Sequence, residues 1–584
     1  MAVDLTKRQR DAFQQQLHRL QFDPEVGLVK VGRPHETAIA HLTESHASRE
    51  TAEYVLLQGL LSDGCWNSTP ALTALLNMFD KDPHSATYGC PKWYWQSERV
   101  VDTNAAFFVG LPLACHYMLW ADRLRETERD LLTLIFRYLL KWFEKQARNP
   151  NLVYPNKVLS DAALLYTLGR FLNDPSQTAQ GIEFCRRWFE YWKRRGCGWG
   201  EDHSIQYTKV LVEAAQLILT NCAPDDLRDV CIEFLDGLAH FVAFHEGREP
   251  TPGIRTYNFD GNVMAVDASY FDPEPTSAII AVTRARSGYR PPAFSFSAPR
   301  QLRRRTFDNH YSVSWVDRHA RLGTLSRWPL FPNMYHHDTW GLGWQSMPAA
   351  FIADDEDLGY LQWVSIDEYG VRRTHPARDF LDFASRPLFR RLSFLPEVVQ
   401  IAHQEKGAAI ILREIRKLHA PIRLLVDRWR IPKGKGKVLL GGSIQSEDAS
   451  EACFKGWCVL QYPNCAIAIW PLHVRAVGNS APRRLPLRVR QDAEEGLLIE
   501  LELYSGEARV LTEPLLYTGW CIVLLNRPEE VEGWTVEETF ELPAEIPRTY
   551  HESIRTVTLT GPGIRISLRH DPLEDQQART VQEL

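Results

Sequence analysis

The chain has 584 residues, and at about 150 residues per domain this length predicts two to four domains with substantial cores. Hydrophobic residues make up 44% and charged residues 24%, which excludes long disordered stretches. The net charge of −6 excludes a global positive field for a nucleic-acid backbone, whereas 18 Trp, 20 Tyr and 26 Phe supply flat amphipathic rings that suit sugar faces as well as cores.

The N-terminus carries charges throughout and has no continuous apolar stretch, so we expect an amphipathic first helix and no secretory signal. The chain is therefore expected to be cytoplasmic as written, and periplasmic or secreted if a signal peptide was removed. Residues 103–121 lack Asp, Glu, Lys and Arg, but Asn104, Pro112 and His116 favour a buried helix over a membrane span. The eleven cysteines show no CxxC or zinc-ribbon spacing and are interpreted as reduced thiols, mostly buried.

Residues 1–294 repeat their apolar positions at helical spacing, in segments such as LLTLIFRYLLKWFEKQ, SDAALLYTLGRFL, YTKVLVEAAQLIL and LRDVCIEFLDGLAHFVAF. Turn-rich connectors such as RNPNLVYPN and NCAPDD separate these segments. Short loops between many helices favour antiparallel helix pairs, which close naturally into an (α/α) toroid.

Residues 295–570 change to short β-rich runs, among them YSVSWV, LGYLQWVSI, AAIILREI, LLIELELY and WCIVLL. Gly, Pro and Asn or Asp punctuate them, which predicts an antiparallel β-sandwich of many strands. Residues 571–584 are polar and are expected to form a frayed tail.

The first candidate cluster along the chain is YGCPKWYWQSERVVDTN. It places Trp93 and Trp95 beside Gln96, Arg99 and Asn104. Three aromatic rings in succession cannot all face one core, so we expect part of this segment to line a cleft and bind substrate.

The second cluster is NLVYPNKVLSDAALLYTLGRF, where Asn156 follows Pro155 at the start of a helix. A helix cap is the structural alternative for Asn156. Asp161 and Arg170 lie further along the same helix, where they could be solvated or ion-paired.

The third cluster is GCGWGEDHSIQYTKV, a Gly-rich loop that opens onto a helix. Trp199, Glu201 and His203 are candidate substrate contacts, although Asp202, His203 or Ser204 could instead cap the helix. Tyr207 is a candidate acid or base, and its structural alternative is a core tyrosine with a satisfied hydroxyl.

The fourth cluster lies in the β-rich half, where His336, His337 and Asp338 are adjacent. Alternate residues of a strand point to opposite faces, so only one of the two histidines can face a given partner. A metal site using His337 and Asp338 would need further ligands that converge in space.

The order of these parts is more specific than any one motif: an Asn opens a helix, a Tyr follows 51 residues later after a Gly-Glu loop, and His-His-Asp follows in the β-rich half. This order resembles the heparinase II/III and oligo-alginate lyase superfamily of polysaccharide lyases. The resemblance implies an (α/α) toroid joined to an antiparallel β-sandwich, and β-elimination on a uronate-containing glycan. It also implies that no cofactor is required, while allowing a structural zinc or calcium ion.

The resemblance assigns roles that the chemistry explains. The uronate carboxylate resists removal of the neighbouring C5 proton, so Asn156 with Arg99 or another arginine would hydrogen-bond that carboxylate and stabilise the enolate-like transition state. Tyr207 would act as acid, or as both acid and base, and His336 or His337 is the alternative base. Trp93, Trp95 and Trp199 would stack on sugar rings.

Two other readings stay open. A glycoside hydrolase on the same fold would use paired carboxylates from Asp102, Asp161, Glu201 and Asp202. A non-catalytic carbohydrate-binding protein would retain the cleft but have no catalytic activity. The expected partner is an anionic oligo- or polysaccharide, with no nucleic acid and no membrane; the uronic acid, the linkage and the oligomeric state stay open.

Overall fold

The computed structural model describes residues 3–196, 204–221, 224–253, 261–328, 347–370, 397–417, 421–440, 443–444, 452–454, 456–478, 481–511, 516–542 and 553–572. The chain divides into two compact units. The first comprises residues 1–197, 201–247 and 266–294, and the second comprises residues 198–200, 248–265 and 295–584.

The first unit is helical, as its 3.6-residue periodicity predicts. Its α-helices α1 to α10 are Lys7–Arg19, Ser48–Leu61, Thr69–Asn77, Ala105–Trp120, Glu126–Arg148, Pro155–Phe171, Pro175–Arg195, Thr208–Thr220, Asp225–His245 and Ala278–Ser287. A small antiparallel sheet precedes α2 and consists of β1 (Gln21–Asp23), β2 (Leu28–Val31) and β3 (Ser45–Ala47).

The helices form two layers. In the inner layer, α2 packs on α4, α4 on α6, α6 on α8 and α8 on α10, and α10 returns to contact α4. In the outer layer, α3, α5, α7 and α9 pack on one another in succession. This alternation of inner and outer helices is the (α/α) toroid arrangement that the connectors predict.

The inner helices run in the same direction. Arg49 and Gly59, near the two ends of α2, approach Phe108 and His116 at the corresponding positions of α4. Likewise, Gly110 early in α4 approaches Leu164 of α6. Inner helices can be parallel because each pair of them is separated in the chain by an outer helix that runs the other way.

The same direction holds for the remaining inner helices. The Tyr166 hydroxyl of α6 donates to the carbonyl oxygen of Asn221 at the end of α8, at 3.1 Å. The Ser277 hydroxyl at the start of α10 donates to Glu213 of α8 at 2.7 Å, and the Thr283 hydroxyl, six residues later, donates to Gln216 at 3.1 Å.

The charge-free segment forms the inner helix α4. Most of its residues are buried, including Pro112 and His116, so the buried-helix prediction is confirmed. None of the described helices is long and apolar enough to cross a membrane.

The second unit is built from antiparallel strands. Its strands β4 to β23 are Arg300–Phe307, His310–Val316, Ala320–Leu325, Arg327–Trp328, Ala349–Ala353, Asp357–Asp367, Glu397–Glu405, Ala408–Lys417, Ile422–Ile431, Lys437–Leu440, Ser443–Ile444, Ala452–Phe454, Cys458–Gln461, Ala466–Pro471, Leu487–Asp492, Gly496–Arg509, Leu516–Leu525, Thr535–Glu541, Ile554–Gly561 and Ile564–His570.

Three sheets make up this unit. One has the order β14-β13-β16-β17-β20-β11-β10-β7, the second β15-β18-β19-β12-β9-β8-β6-β5-β4, and the small third sheet β21-β22-β23. Apolar residues of the first two sheets share one core, and a second core joins the third sheet to the first. The predicted antiparallel β-sandwich is therefore present, with an additional small sheet on one face.

The described cysteines are all free. Seven of them are buried, and Cys65 is exposed. The interpretation as mostly buried thiols is confirmed for this part of the chain.

Candidate active site

The N-terminal ends of the inner helices lie together at one end of the helical unit, because these helices are parallel neighbours. Asn104 at the start of α4 donates from Nδ2 to the hydroxyl of Tyr154, which precedes α6, at 3.3 Å. The free N–H groups and the dipole of a helix favour negative charge at its N-terminus. An end at which several helices begin is therefore suited to an anion.

Asn156 lies in the first turn of α6. Pro155 occupies the first helical position and Tyr154 is the N-cap residue, without a side-chain capping bond. Asn156 is fully buried, and within the described residues neither Oδ1 nor Nδ2 has a hydrogen-bond partner. The cap interpretation is therefore wrong, and both polar atoms of this buried amide are left without a partner in the described structure.

Tyr207 is the N-cap residue of α8 and is half-buried against the helical core. The turn is held by Ser204, whose Oγ accepts from the backbone N–H groups of Gln206 at 3.3 Å and Tyr207 at 3.4 Å. Of the polar residues predicted to cap this helix, Ser204 thus stabilises the entry turn, while Tyr207 stands at the helix end. Trp199, Glu201 and His203 lie outside the described residues.

Asn156 and Tyr207 stand at the same end of two parallel, adjacent helices. The opposite end of the pair is fixed by the Tyr166 to Asn221 bond and by Asn221 Nδ2, which donates to Thr167 Oγ1 at 2.8 Å. The two residues that the sequence singled out are thus on neighbouring elements although 51 positions separate them.

The aromatic segment before α4 divides between core and surface. Trp93 is buried with its edge against His35 and Phe108, so it supports the loop rather than offering a ring face. Trp95 is 42% exposed, with Lys92 Nζ 5.4 Å from its ring centroid. Arg99 is exposed.

Gln96 belongs to a short relay with two residues that the sequence analysis missed. Its Nε2 and His46 Nδ1 are 3.0 Å apart, and His46 Nε2 is 3.1 Å from Asp23 Oδ2. The hydrogen bond from His46 lowers the pKa of Asp23 to about 2, although burial opposes this. Gln96 is therefore held in place by an ionised carboxylate through His46.

A second polar group beside α4 was also missed. Tyr94 and His35 Nδ1 are 2.8 Å apart, and His35 Nε2 lies 3.6 Å from Asp102. Burial raises the pKa of Tyr94 to about 12, so its phenol is protonated at neutral pH. These residues are far apart in the sequence and meet only in the folded protein. No local sequence pattern predicts a role for His35.

Two cations at the helix N-termini complete the site. Arg49, in the first turn of α2, stacks over the ring of Phe108 at 4.5 Å. Lys209, in the first turn of α8, pairs with Glu213 at 3.6 Å and interacts electrostatically with Arg49 and Glu53. Burial raises the pKa of Glu213. The sequence analysis did not identify either cation, although both lie in the first turn of a helix.

Asp161, one of the carboxylates of the hydrolase hypothesis, is part of an ion pair. It is buried, and Lys157 one turn earlier binds it at 2.9 Å. Burial raises the pKa of Asp161 against the effect of Lys157. An internal ion pair is the simplest role for this carboxylate.

His336, His337 and Asp338, the residues of the predicted metal site, lie outside the described residues. In the described part of the chain, no group of three or more His, Cys, Asp or Glu residues has the arrangement of a metal site.

No family model matches the sequence, and no curated protein matches it. Among solved structures, heparinase III matches with a TM-score of 0.49 and 11% identity, over 97% of this chain and 92% of that one. A chondroitinase AC lyase matches with a TM-score of 0.41 and 9% identity, over 97% of this chain and 95% of that one.

The Streptomyces coelicolor A3 chondroitin AC lyase in complex with chondroitin sulphate matches with a TM-score of 0.43 and 10% identity, over 95% of this chain and 84% of that one. At these identities an activity has to be derived from the site itself.

Proposed function

We propose that this protein is a polysaccharide lyase that cleaves a uronate-containing glycan by β-elimination. The observation that supports this most directly is the buried amide of Asn156, which has no partner in the described structure and stands beside the helix end that carries Tyr207. A buried amide without a hydrogen bond costs about 1–3 kcal/mol. Such a cost is expected at a functional site, where a ligand supplies the missing bonds.

In the proposed reaction, Asn156 donates a hydrogen bond to the uronate carboxylate. The helix N-termini beside it stabilise the negative charge that spreads over this carboxylate as the C5 proton leaves. Neutralising the carboxylate is the decisive step, because an ionised carboxylate resists a second negative charge on the neighbouring carbon.

Tyr207 is the proposed acid, which gives its proton to the departing glycosidic oxygen. In a syn elimination a deprotonated Tyr207 first takes the C5 proton and then gives that same proton to the departing glycosidic oxygen, because both reacting groups are on the same face of the sugar. His336 or His337 remains the alternative base that the sequence predicts. The proposed elimination uses side chains of this chain and no cofactor.

The substrate class follows from the charges near the proposed site. Arg49 and Lys209 pair with Glu50 and Glu213 at 3.8 and 3.6 Å, and Arg99 is exposed; these three cations can bind an anionic group, and the exposed ring of Trp95 supplies a flat apolar face for a sugar. An anionic oligo- or polysaccharide satisfies both features.

The test is ultraviolet absorbance over time with chondroitin sulphate, heparin, alginate and their oligosaccharides. Elimination leaves a C4–C5 double bond conjugated to the carboxylate, which absorbs where the substrate does not. We expect a rising signal, reduced about 100-fold or more by Tyr207→Phe, since a positioned acid or base contributes roughly 10²–10⁴-fold.

Tyr117→Phe is the matched control, because Tyr117 also packs against the helical core but lies in the last turn of α4, far from its N-terminus. This variant should retain wild-type activity. New reducing ends without absorbance would instead identify a hydrolase and overturn the proposal. Binding without any product would identify a non-catalytic binder.

A further inference from the structure

The β-rich unit contains an open cavity of about 740 Å³. Its walls come from all three sheets of the unit: the β5–β6 turn of the nine-stranded sheet, the β10–β11 turn and the end of β20 in the eight-stranded sheet, and the small third sheet. The volume falls within the range of roughly 300–1,000 Å³ that is typical of small-molecule sites.

Two indole rings form the apolar part of this cavity. Trp315 is half-buried on β5, and a β-carbon at Gly407 would stand 3.4 Å from its Cδ1 and Nε1 atoms. Trp534 packs directly against Gly561, where a β-carbon would stand 2.3 Å from Cδ2. The two glycines therefore allow the rings to pack close to the backbone at the wall of the cavity.

The cavity carries more positive than negative charge. Arg318 and Lys406 are exposed at two turns on different sheets, and in the described part of the chain neither forms an ion pair. Asp317 is the carboxylate that lines the cavity, and it already accepts the backbone N–H of Arg318 at 2.7 Å. An anion is therefore favoured over a cation.

The polar groups of the cavity are held in fixed positions. Asp354 accepts from the backbone N–H and from Nδ2 of Asn464 at 3.4 and 3.2 Å, and it lies 3.8 Å from His319 Nδ1. The Cys465 thiol donates to the carbonyl oxygen of His319 at 3.3 Å, and burial raises its pKa to about 12. A thiol in this state is not a nucleophile, so the arrangement suits binding rather than catalysis.

We infer that this cavity is a second glycan-binding site, which takes an anionic sugar unit between Trp315 and the cations Arg318 and Lys406. A flat apolar ring beside fixed amide and cationic donors matches a sugar ring that carries a carboxylate or sulphate. The identification of the ligand as an anionic glycan rests on the proposed function. The binding site itself lies on the other unit and involves none of the residues assigned to the reaction.

The experiment measures binding of chondroitin sulphate, heparin and alginate oligosaccharides to the full-length Tyr207→Phe protein by titration calorimetry. We expect Trp315→Ala to weaken binding about tenfold, through loss of the apolar contact with the sugar. The double variant Arg318→Ala/Lys406→Ala should weaken binding to a similar degree and reduce its salt dependence. The matched controls are Trp470→Ala, a half-buried tryptophan, and Lys437→Ala, an exposed lysine, neither of which lines the cavity.

In a Tyr207 wild-type background, the same cavity variants should slow cleavage of long chains while leaving short oligosaccharides unaffected. Unchanged affinity in both cavity variants overturns the inference, as does equal competition by inorganic sulphate at the same concentration, which would show a simple anion site. Absence of binding to all three glycans also overturns it. If no glycan is cleaved but Trp315→Ala still weakens binding, the proposed function fails and the second site stands.

Discussion

Asn221 Nδ2 donates to Thr167 Oγ1 at 2.8 Å, and this contact fixes where α6 and α8 end relative to each other. Counted back along two parallel helices that rise about 1.5 Å per residue, Asn156 lies 11 residues before Thr167 and Tyr207 lies 14 residues before Asn221, so the two residues are within about one turn of each other in level at the other end. A structural asparagine thus lies at the opposite end of the helix pair from the proposed catalytic residues.

This relationship predicts opposite outcomes for two buried asparagines. Asn156→Leu should lower kcat about 10²–10³-fold, the usual cost of losing one donor to a developing negative charge. It should leave the free energy of unfolding unchanged or higher, because it removes a buried amide without a partner. Urea unfolding and the absorbance assay measure the two effects.

Asn221→Leu is the control for that variant. It breaks the bonds to Thr167 and to the Leu217 carbonyl oxygen, so the free energy of unfolding should fall by about 1–3 kcal/mol, with activity per folded molecule retained. A loss of stability in Asn156→Leu as large as that in Asn221→Leu would argue that Asn156 is structural.

Arg49 gives a prediction for substrate binding. Its guanidinium stacks on Phe108 at 4.5 Å and is held at the start of α2, beside the other helix N-termini. Arg49→Ala should raise KM about tenfold with a smaller change in kcat, because the arginine attracts the anionic chain without contacting the reacting bond. Arg123→Ala, which removes an exposed arginine stacked on Trp120 beyond the other end of α4, should leave KM unchanged.

His116 makes stability depend on pH. It is buried in α4, and in the described structure neither ring nitrogen has a hydrogen-bond partner; burial lowers its pKa to about 4, from 6.5. Below pH 6.5 the unfolded chain binds a proton that the folded chain binds only near pH 4. Folding stability therefore falls as the pH drops through this window, by about 3 kcal/mol in total.

Urea unfolding at pH 7.5, 5.5 and 4.5 tests this prediction. His116→Leu should reduce the loss of unfolding free energy between pH 7.5 and 4.5 by about 3 kcal/mol. The exposed His84→Leu is the control and should keep the wild-type slope. Equal slopes for wild type and His116→Leu would contradict the prediction.

The β-rich unit contains a buried ion pair. We expect the loss of one of its two charges to destabilise the protein more than the loss of both. Arg413 Nε of β11 lies 3.0 Å from Asp427 Oδ1 of β12, and both side chains are almost fully buried. Arg413→Leu alone should cost about 3–5 kcal/mol of unfolding free energy, because it leaves a carboxylate buried without its cation. Asp427 also accepts from Trp520 Nε1 at 2.8 Å.

The double variant Arg413→Leu/Asp427→Leu should be more stable than Arg413→Leu, since it leaves no uncompensated charge in the core. Denaturant unfolding of both single variants and the double variant gives the coupling energy. Additive losses would show that the pair does not act as a unit.

The fold followed largely from local patterns. The segment LRDVCIEFLDGLAHFVAF predicts a helix, and α9 spans Asp225–His245; LLIELELY predicts a strand, and β19 contains it. Burial of one face imposes a period of 3.6 on a helix and of 2 on a strand, and each period can be read from a few consecutive residues.

The predicted site residues remain candidates, and their structural settings could be foreseen only in part. The sequence identified Asn156 and Tyr207, but it offered a helix cap as the alternative for Asn156, because Pro155 and Asn156 both occur at helix starts. It also treated Trp93 and Trp95 alike, although the fold buries the first ring and exposes the second. Whether an aromatic side chain faces the core or the solvent depends on what packs against it, which neighbouring residues in the chain do not determine.

The sequence by itself determined the two kinds of secondary structure, their order and the residue types suited to a uronate, because these depend on local periodicity and on side-chain chemistry. Only the tertiary structure decided that five helices begin at the same end, that the Asn156 amide is buried without a partner among the described residues, and that Arg49 and Lys209 lie near each other. These relationships join residues 50 to 160 positions apart, and their physical origin is the packing of parallel inner helices, which no short stretch of sequence encodes.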